Sequence, residues 1–201
     1  MECITSVAQY ANTTFWKEDP NEQGFFYEWL VHVSADPNPP HVLSMSYDLL
    51  ESDPRYKEFG YDVKFNLEAQ KLGVRGVTVV VASGDDGAAG YEARSNKKLC
   101  GLNPSFPSSS PWVTSVGATM GPEHAAGKDR TEVACTSDGQ GLITSGGGFS
   151  NRFARPDYQK SAVQGFLDAS KAAGTLPPAG TFNATGRGYV KAKTGGESCG
   201  G

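Results

Sequence analysis

The run Val-Thr-Val-Val-Val-Ala at residues 77–82 constrains the fold of this 201-residue chain more than any other feature. It is almost wholly apolar and rich in β-branched residues, which is typical of a strand buried on both faces of a parallel sheet. The run ends in the turn Ser83-Gly84-Asp85-Asp86-Gly87. Ligands of open α/β sheets bind beyond the carboxyl ends of the strands, so this charged turn is where we expect chemistry.

Helical patterns alternate with short apolar runs elsewhere in the sequence. This alternation predicts an α/β fold, a parallel sheet with helices on both faces. The predicted strands are residues 41–47, 77–82 and 112–118, with a hairpin joining 133–135 to 142–144. The predicted helices begin at a cap on Asn21 (apolar face Phe26, Trp29, Leu30, Val33), at Ser52-Asp53-Pro54 (apolar face Tyr56, Phe59, Val63, Leu67, ending at Gly73) and at Pro156 (apolar face Val163, Phe166, Leu167).

Charge and hydropathy exclude two classes of partner. With 18 basic and 22 acidic residues the net charge is −4, and no stripe of Lys or Arg indicates nucleic-acid binding. No apolar run approaches the ~18–20 residues that a membrane span needs.

The first residues lack the basic and apolar regions of a signal peptide, so either the chain is cytosolic or its true beginning is absent. The three histidines show no metal-ligand spacing.

Asp85 and Asp86 allow more than one interpretation. Gly and Asp are preferred in tight turns, so the pair can be purely structural. Two adjacent carboxylates could also bind magnesium, although no phosphate-binding Gly-rich loop accompanies them. A catalytic acid is the third interpretation.

Four ordered blocks favour the third interpretation. Residues 79–88 (VVVASGDDGA) resemble the strand and Ser-Gly-Asp-Ser-Gly turn of the sedolisins, the serine-carboxyl peptidases that include tripeptidyl peptidases. Residues 104–119 (PSFPSSSPWVTSVGAT) resemble the Pro-x-Phe-Pro-Ala-Ser-Ser-Pro-Tyr-Val-Thr-x-Val-Gly-Gly-Thr segment of that family. Residues 143–151 (ITSGGGFSN) and 182–189 (FNATGRGY) are similar to a third and a fourth block.

The resemblance implies a subtilisin-like α/β fold and a Ser–Glu–Asp catalytic set with a separate oxyanion Asp. Only the oxyanion Asp maps onto this sequence, at Asp85. A carboxylate anion would repel the negative oxygen of the tetrahedral intermediate, so Asp85 must be protonated to donate a hydrogen bond. Burial at the strand end and the like charge of Asp86 are expected to favour the protonated form, which implies activity in acid. Asp86 replaces the usual Ser of the family, and its role stays open.

The remaining catalytic residues of the family have no counterpart in this sequence. The family's Glu and Asp precede the segment that residues 1–8 resemble, and its nucleophile follows a Tyr-Pro-Asp-Val motif. Here Tyr189 is followed by Val190 and Lys191 instead. We therefore divide the chain into a partial catalytic domain (1–189), incomplete at both ends, and a Gly-rich tail (190–201). No metal or cofactor is placed on it, since the family's calcium ligands lie further downstream.

The function implied is that of a serine-type endopeptidase or tripeptidyl peptidase acting on peptides or proteins at acid pH. We expect the intact parent to be a monomeric, secreted or lysosomal/vacuolar enzyme, and this segment alone to be inactive. The alternative is a non-catalytic remnant that binds peptides or a protein partner. The Gly-x-Ser-x-Gly match at residues 196–200 is attributed to chance, because a nucleophile elbow needs a following helix.

The resemblance also places part of a substrate cleft on this chain. Ser46, Tyr47, Ser83 and Gly84 are the expected cleft residues. Asp48 stands where the family has Gly, which puts the pairing with substrate at this point in doubt.

The cysteines and the two Asn-x-Thr sequons are candidates for a disulfide bond and for glycosylation. Cys100 and Cys135 bracket the strand at 112–118, and a disulfide between them would close a loop of ~35 residues and contribute ~3–4 kcal/mol. Two free thiols are the alternative. Asn12 and Asn183 begin Asn-x-Thr sequons and are candidate glycosylation sites.

Overall fold

The computed structural model describes residues 2–96, 98, 100–121 and 132–189. The predicted tail, 190–201, therefore lies outside the described residues. The helices are α1 (Glu2–Val7), α2 (Phe25–Ala35), α3 (Pro54–Lys57), α4 (Tyr61–Val74) and α5 (Lys160–Ala172), with short 3₁₀ helices at Tyr91–Arg94 and Asp157–Gln159. The strands are β1 (Val42–Met45), β2 (Leu49–Leu50), β3 (Thr78–Ala82), β4 (Ser105–Phe106), β5 (Thr114–Val116), β6 (Thr119–Met120), β7 (Val133–Ala134), β8 (Gly148–Ala154) and β9 (Gly186–Tyr189).

A three-stranded parallel sheet lies at the centre, in the order β1-β3-β5. Val80 of β3 pairs with Ser44 on one side and with Thr114 on the other. The most apolar run of the sequence is therefore the middle strand. This arrangement confirms the predicted α/β class and parallel sheet.

Helices α2 and α4 pack on one face of this sheet. Leu43, Val79 and Val81 point into the resulting core, where they meet the buried side chains Leu30, Val33, Phe65 and Leu72. On the opposite face Val42 is 60% exposed and Val116 is 50% exposed. Within the described residues, burial of the middle strand on both faces is wrong, because Thr78 of β3 is exposed on this face and Val80 and Ala82 are only partly buried.

Helix α2 buries the predicted face, but its start differs from the prediction. Gly24, not Asn21, occupies the cap position, with a left-handed φ of 75°. A β-carbon on Gly24 would lie 2.6 Å from the ring of Tyr61, so both conformation and space favour glycine there.

The single helix predicted after Asp53 is two helices. Asp53 caps α3 as expected, since its side chain accepts a hydrogen bond from the Arg55 amide at 2.9 Å. Gly60 then takes a left-handed φ of 64°, which breaks the helix before α4 begins. This break changes the phase of the helix, so Val63 and Leu67 of the predicted apolar face are exposed.

Two further predictions are changed by long-range pairing. The predicted hairpin strand at 133–135 instead gives β7, which pairs antiparallel with β6. Thr144 forms a parallel bridge with Asp86. The helix predicted at Pro156 begins as the 3₁₀ turn Asp157–Gln159 and continues as α5.

No helix in the described ranges is both long and apolar enough to span a bilayer.

Candidate functional site

The carboxyl ends of β1 and β3 lie side by side, because Met45 pairs in register with Val81. Residues 46–48 follow β1, and the turn 83–87 follows β3. A β-carbon built on Gly84 would lie 3.5 Å from Oδ2 of Asp48. The two segments predicted to line a cleft therefore meet at one edge of the sheet.

The backbone of residues 144–146 fixes the turn. The amides of Thr144 and Gly146 donate to the carbonyls of Asp85 and Gly84 at 2.9 and 2.8 Å, and Gly87 donates to the Thr144 carbonyl at 2.9 Å. A β-carbon on Gly146 would stand 2.0 Å from the carbonyl oxygen of Ser83. Only glycine at position 146 permits this approach.

Positive φ angles at Gly84 (100°) and Gly87 (61°) shape the turn itself. Side chains rarely adopt such angles, so these two glycines are required by conformation. They place Asp85 at an outward-facing position between them.

Asp85 is exposed, whereas the sequence predicted it to be buried at the strand end. Its carbonyl is used to fix the turn, which leaves the carboxyl facing solvent at the sheet edge. Asp86 is more enclosed and forms an ion pair with Arg94 of the 3₁₀ helix. That ion pair offsets the negative charge that was expected to act on Asp85.

The surroundings at this edge of the sheet shift the pKa of the Asp48 carboxyl. Burial raises the pKa of Asp48 above its usual value, and the like charges of Asp85 and Asp86 add to the rise. The Ser105 hydroxyl and the Arg94 guanidinium oppose that rise in pKa. The only sequence signal for Asp48 was its departure from the family's Gly.

The other predicted cleft residues occupy different environments. Ser46 and Tyr47 are exposed, and the Tyr47 ring meets Phe25 edge-on at 5.5 Å. Ser83 is only 2% exposed, so its side chain points into the protein, and its hydroxyl has no hydrogen-bond partner among the described residues.

Ser105 and Tyr189, which the sequence analysis did not single out, also contribute to the site. The Ser105 amide of β4 donates to the Tyr189 hydroxyl at 2.8 Å, across 84 residues of sequence. Burial raises the pKa of Tyr189 to about 12. Both residues lie within blocks that resemble the family, but the pattern carried no sign of their contact.

An apolar cavity of about 250 Å³ lies beside the site, between β8, β9 and α5. Phe149, Phe166 and Phe182 line it together with Val163, and Ala88 connects it to the turn. Val163 and Phe166 of the predicted apolar face of α5 thus line this cavity.

Comparison with known proteins identifies the family. The chain is 36% identical to physarolisin of Physarum polycephalum over 206 aligned residues, covering 89% of this chain. It is 39% identical to tripeptidyl-peptidase 1 of Mus musculus and 38% identical to that of Homo sapiens, in each case over 82% of this chain. The chain belongs to the sedolisin family. No family profile matches it.

The chain spans only part of these sedolisin relatives, 34% of physarolisin and 26% of the tripeptidyl-peptidases. Among solved structures it is similar to Pseudomonas sedolisin, a serine-carboxyl proteinase complexed with pseudo-iodotyrostatin, at 22% identity and a TM-score of 0.47. That match covers 69% of this chain and 36% of the other.

The predicted disulfide of this sedolisin chain is wrong. Cys135 carries a free, buried thiol, whereas Cys100 is disulfide-bonded, so the two are not joined. Cys135 lies just after β7, and its Sγ donates to the Ile143 carbonyl at 3.2 Å, inside the loop that returns to the turn. Flanking a strand in sequence did not bring the two sulfurs together.

The two sequons differ in accessibility. Asn12 is exposed. The Nδ2 atom of Asn183, to which a glycan would attach, donates to the Ser150 carbonyl at 2.8 Å, and Oδ1 accepts from the Thr185 hydroxyl at 2.8 Å. Glycosylation stays a prediction at both, with the folded structure favouring Asn12.

No group of three or more metal-ligating side chains converges in the part of the chain that the structure describes. The Asp86 carboxylate is engaged by Arg94, which weakens the alternative of a magnesium-binding Asp pair.

Proposed function

We propose that this chain forms the oxyanion side of the active site of a serine-type peptidase that cleaves peptides or proteins in acid. The observation that carries the proposal is the Asp85 carboxyl, exposed at the carboxyl edge of the middle strand on a turn fixed by Thr144 and Gly146. A rigid turn suits this role because an oxyanion donor must be in place before charge develops.

Asp85 acts in this proposal only when protonated. The neutral carboxyl donates a hydrogen bond to the developing oxyanion, and the ionised carboxylate would repel it. An exposed carboxyl is protonated only in acid, so a low working pH is the condition under which the proposed site functions. An acidic compartment, secreted or lysosomal/vacuolar, matches that requirement.

The nucleophilic Ser and the Glu/Asp pair come, in this proposal, from sequence outside these 201 residues, as do any calcium ligands. The chain on its own is then inactive, because an oxyanion donor without an attacking group leaves little covalent chemistry. The complete enzyme is proposed to act as a monomer on peptide or protein substrates.

The test is a hybrid enzyme in which this chain replaces the matching third of physarolisin. Hydrolysis of a fluorogenic peptide by the hybrid, reduced by Asp85→Ala but not by Asp168→Asn on the exposed side of α5, supports the proposal. Unchanged kcat in the Asp85→Ala hybrid overturns it.

Peptide binding without hydrolysis is the second candidate function, and the apolar cavity beside the turn favours it. Its volume suits a single apolar side chain of a peptide. Titration of the isolated chain with short peptides that differ only in one Phe or Ala tests it by isothermal calorimetry. Saturable binding that needs the Phe, with no cleavage in the hybrid, would favour this role over catalysis.

A further inference from the structure

The end of β3 reaches past the strand that pairs with it on one side. Met45, the last residue of β1, pairs with Val81, so the register with β1 stops one residue before Ala82. On the other side β5 continues, and Ala82 pairs there with Val116. The carbonyl of Ala82 therefore lies beyond the ladder with β1, directly before the turn at residues 83–87.

The peptide unit that joins Ala82 to Ser83 is held from both sides. Its N–H donates to the Val116 carbonyl of β5 at 2.9 Å. Its carbonyl accepts a hydrogen bond from the Ser108 hydroxyl at 2.5 Å. Because the C=O and N–H of a trans peptide unit point in opposite directions, Ser108 approaches from the side on which β1 has ended. Its hydroxyl takes the place that a β1 amide would occupy in a longer ladder.

Ser108 is itself held in a buried turn. It is fully buried, as are its neighbours Ser109 and Ser110. The Ser110 amide donates to the Pro107 carbonyl at 2.9 Å, and the Ser110 hydroxyl donates to Oδ1 of Asn66 on α4 at 2.6 Å. The hydroxyl that reaches β3 is therefore carried by a segment that is anchored to a core helix.

The turn that carries Asp85 thus has donors at its base and at its tip. Ser108 binds the carbonyl at the base, at Ala82. The amides of residues 144 and 146 bind the carbonyls of Asp85 and Gly84 at the tip. The base sets the direction in which the chain leaves β3, because a rotation of that first peptide unit would move every later atom of the turn.

We propose that Ser108 is a positioning residue for the Asp85 turn and acts through the Ala82 carbonyl. The Asp85 carboxyl remains the group that would meet the oxyanion, and Ser108 fixes the backbone from which it projects. The sedolisin segment that residues 104–119 resemble has Ala at this position, so we expect Ser108→Ala to fold. The role of Ser108 in catalysis rests on the proposed function, whereas its hold on the turn can be measured without hydrolysis.

Amide hydrogen exchange of the full 201-residue chain, followed by NMR, tests the hold on the turn. In Ser108→Ala we expect the Ser83 and Gly146 amides to exchange about tenfold faster, the factor that one net hydrogen bond can contribute. The amides of Val79 and Val80, in the middle of β3, should keep their rates, because their places in the sheet do not depend on Ser108.

Ser109→Ala is the matched control. Ser109 is adjacent and equally buried, but its hydroxyl has no hydrogen-bond partner among the described residues. Its removal should leave exchange at Ser83 and Gly146 as in the parent. Ser108→Cys keeps a weaker donor at the same place, so its exchange rates should fall between those of the parent and those of Ser108→Ala.

Unchanged exchange at Ser83 in folded Ser108→Ala, or an equal acceleration along the whole of β3, would overturn the positioning role. Should Ser108→Ala fail to fold, Ser108→Cys compared with Ser109→Ala gives the same decision, because only the first of these alters the donor to Ala82.

The physarolisin hybrid tests whether this hold on the turn matters for catalysis. Ser108→Ala should lower kcat about three- to tenfold with KM unchanged, because the turn would act on the transition state and not on substrate binding. In the Asp85→Ala hybrid the same substitution should have little further effect, since the group that it positions is gone. Equal losses in both hybrids would show that Ser108 does not act through Asp85. An inactive hybrid, together with local acceleration of exchange, would count against the peptidase proposal and still support the hold of Ser108 on the turn.

Discussion

Gly146 and Ser83 are in backbone contact so close that a β-carbon on Gly146 would stand 2.0 Å from the Ser83 carbonyl oxygen. The atom it would meet is main chain, which cannot turn away as a flexible side chain could. The segment 144–146 and the turn after β3 therefore pack backbone against backbone at Gly146.

We expect Gly146→Ala to destabilise the chain by about 1–3 kcal/mol, the usual cost of overpacking a closely packed position. Thermal unfolding measured by circular dichroism checks this. Gly165→Ala is the matched control, since nothing lies within 4 Å of its β-carbon position in α5 and Ala stabilises a helix interior by ~0.5–1 kcal/mol. Equal melting temperatures for the two variants would contradict the assigned contact.

Asp85→Ala in the physarolisin hybrid should lower kcat by ~10²–10³, the typical loss for one oxyanion donor. Asp85→Asn should cost less, and its activity should extend to higher pH, because an amide donates without taking a proton from solution. Measuring kcat against pH, with the folded fraction determined separately, checks both. A purely structural turn would instead change stability and leave kcat per folded molecule unchanged.

Cys135 should resist alkylation in the native chain and react once the chain is unfolded, because its thiol is buried. Peptide mapping by mass spectrometry without reduction should recover Cys135 as a single thiol and Cys100 in a disulfide with a different cysteine. A peptide in which Cys100 and Cys135 are linked would show that the assignment is wrong.

Asp48→Asn should stabilise the chain at neutral pH. The folded-state pKa of Asp48 is raised, so its ionised form is penalised in the folded state, fully at pH values above that pKa. The penalty falls as pH drops and is gone below the unfolded value of about 3.9. Melting temperatures from pH 3 to 7 should therefore diverge between parent and variant as pH rises. Curves that stay parallel would refute the assigned burial of this carboxyl.

Replacement by Met should cost the chain much less free energy of unfolding at Arg187 than at Arg152. Nη2 of buried Arg187 donates to the Val113 carbonyl at 3.1 Å, whereas Nε and Nη1 have no hydrogen-bond partner in the described structure, and burial lowers the pKa of this guanidinium. Removing it should be neutral or stabilising within about 1 kcal/mol. Arg152 pairs with buried Asp62, so its loss leaves a buried carboxylate without its counter-ion and should cost about 3–5 kcal/mol. Urea unfolding measures both, and a larger loss for Arg187→Met would reverse this assignment.

Local sequence patterns predicted the strands and helix ends that are determined by one short segment of the chain. The β-branched run at 77–82 gave the middle strand, and Asp53-Pro54 gave a capped helix start. The apolar face of α4 was misassigned, because the prediction continued one helical period from α3 across Gly60. The left-handed turn at Gly60 ends that period, and α4 begins with a different phase.

Within the site, the sequence predicted only the residue at which a family-like motif coincides with the end of a predicted strand. Asp85 was found because it ends the most apolar run of the sequence. Ser105 and Tyr189 were missed because their contact joins positions 84 residues apart, and no periodic pattern encodes it. The exposure of Asp85 was missed for the same reason, since it depends on how residues 144–146 hold the turn.

The place of the turn in the sheet has a consequence for how the protein fluctuates. β3 is hydrogen-bonded to β1 on one side and to β5 on the other, and the turn is its direct continuation. Amide protons of such a central strand exchange with solvent through the highest-energy openings of a domain. Transient fraying of the outlying helices would therefore leave the strand end before Asp85 in place, and the geometry of the site would be lost when residues 144–146 detach from the turn or the sheet itself opens.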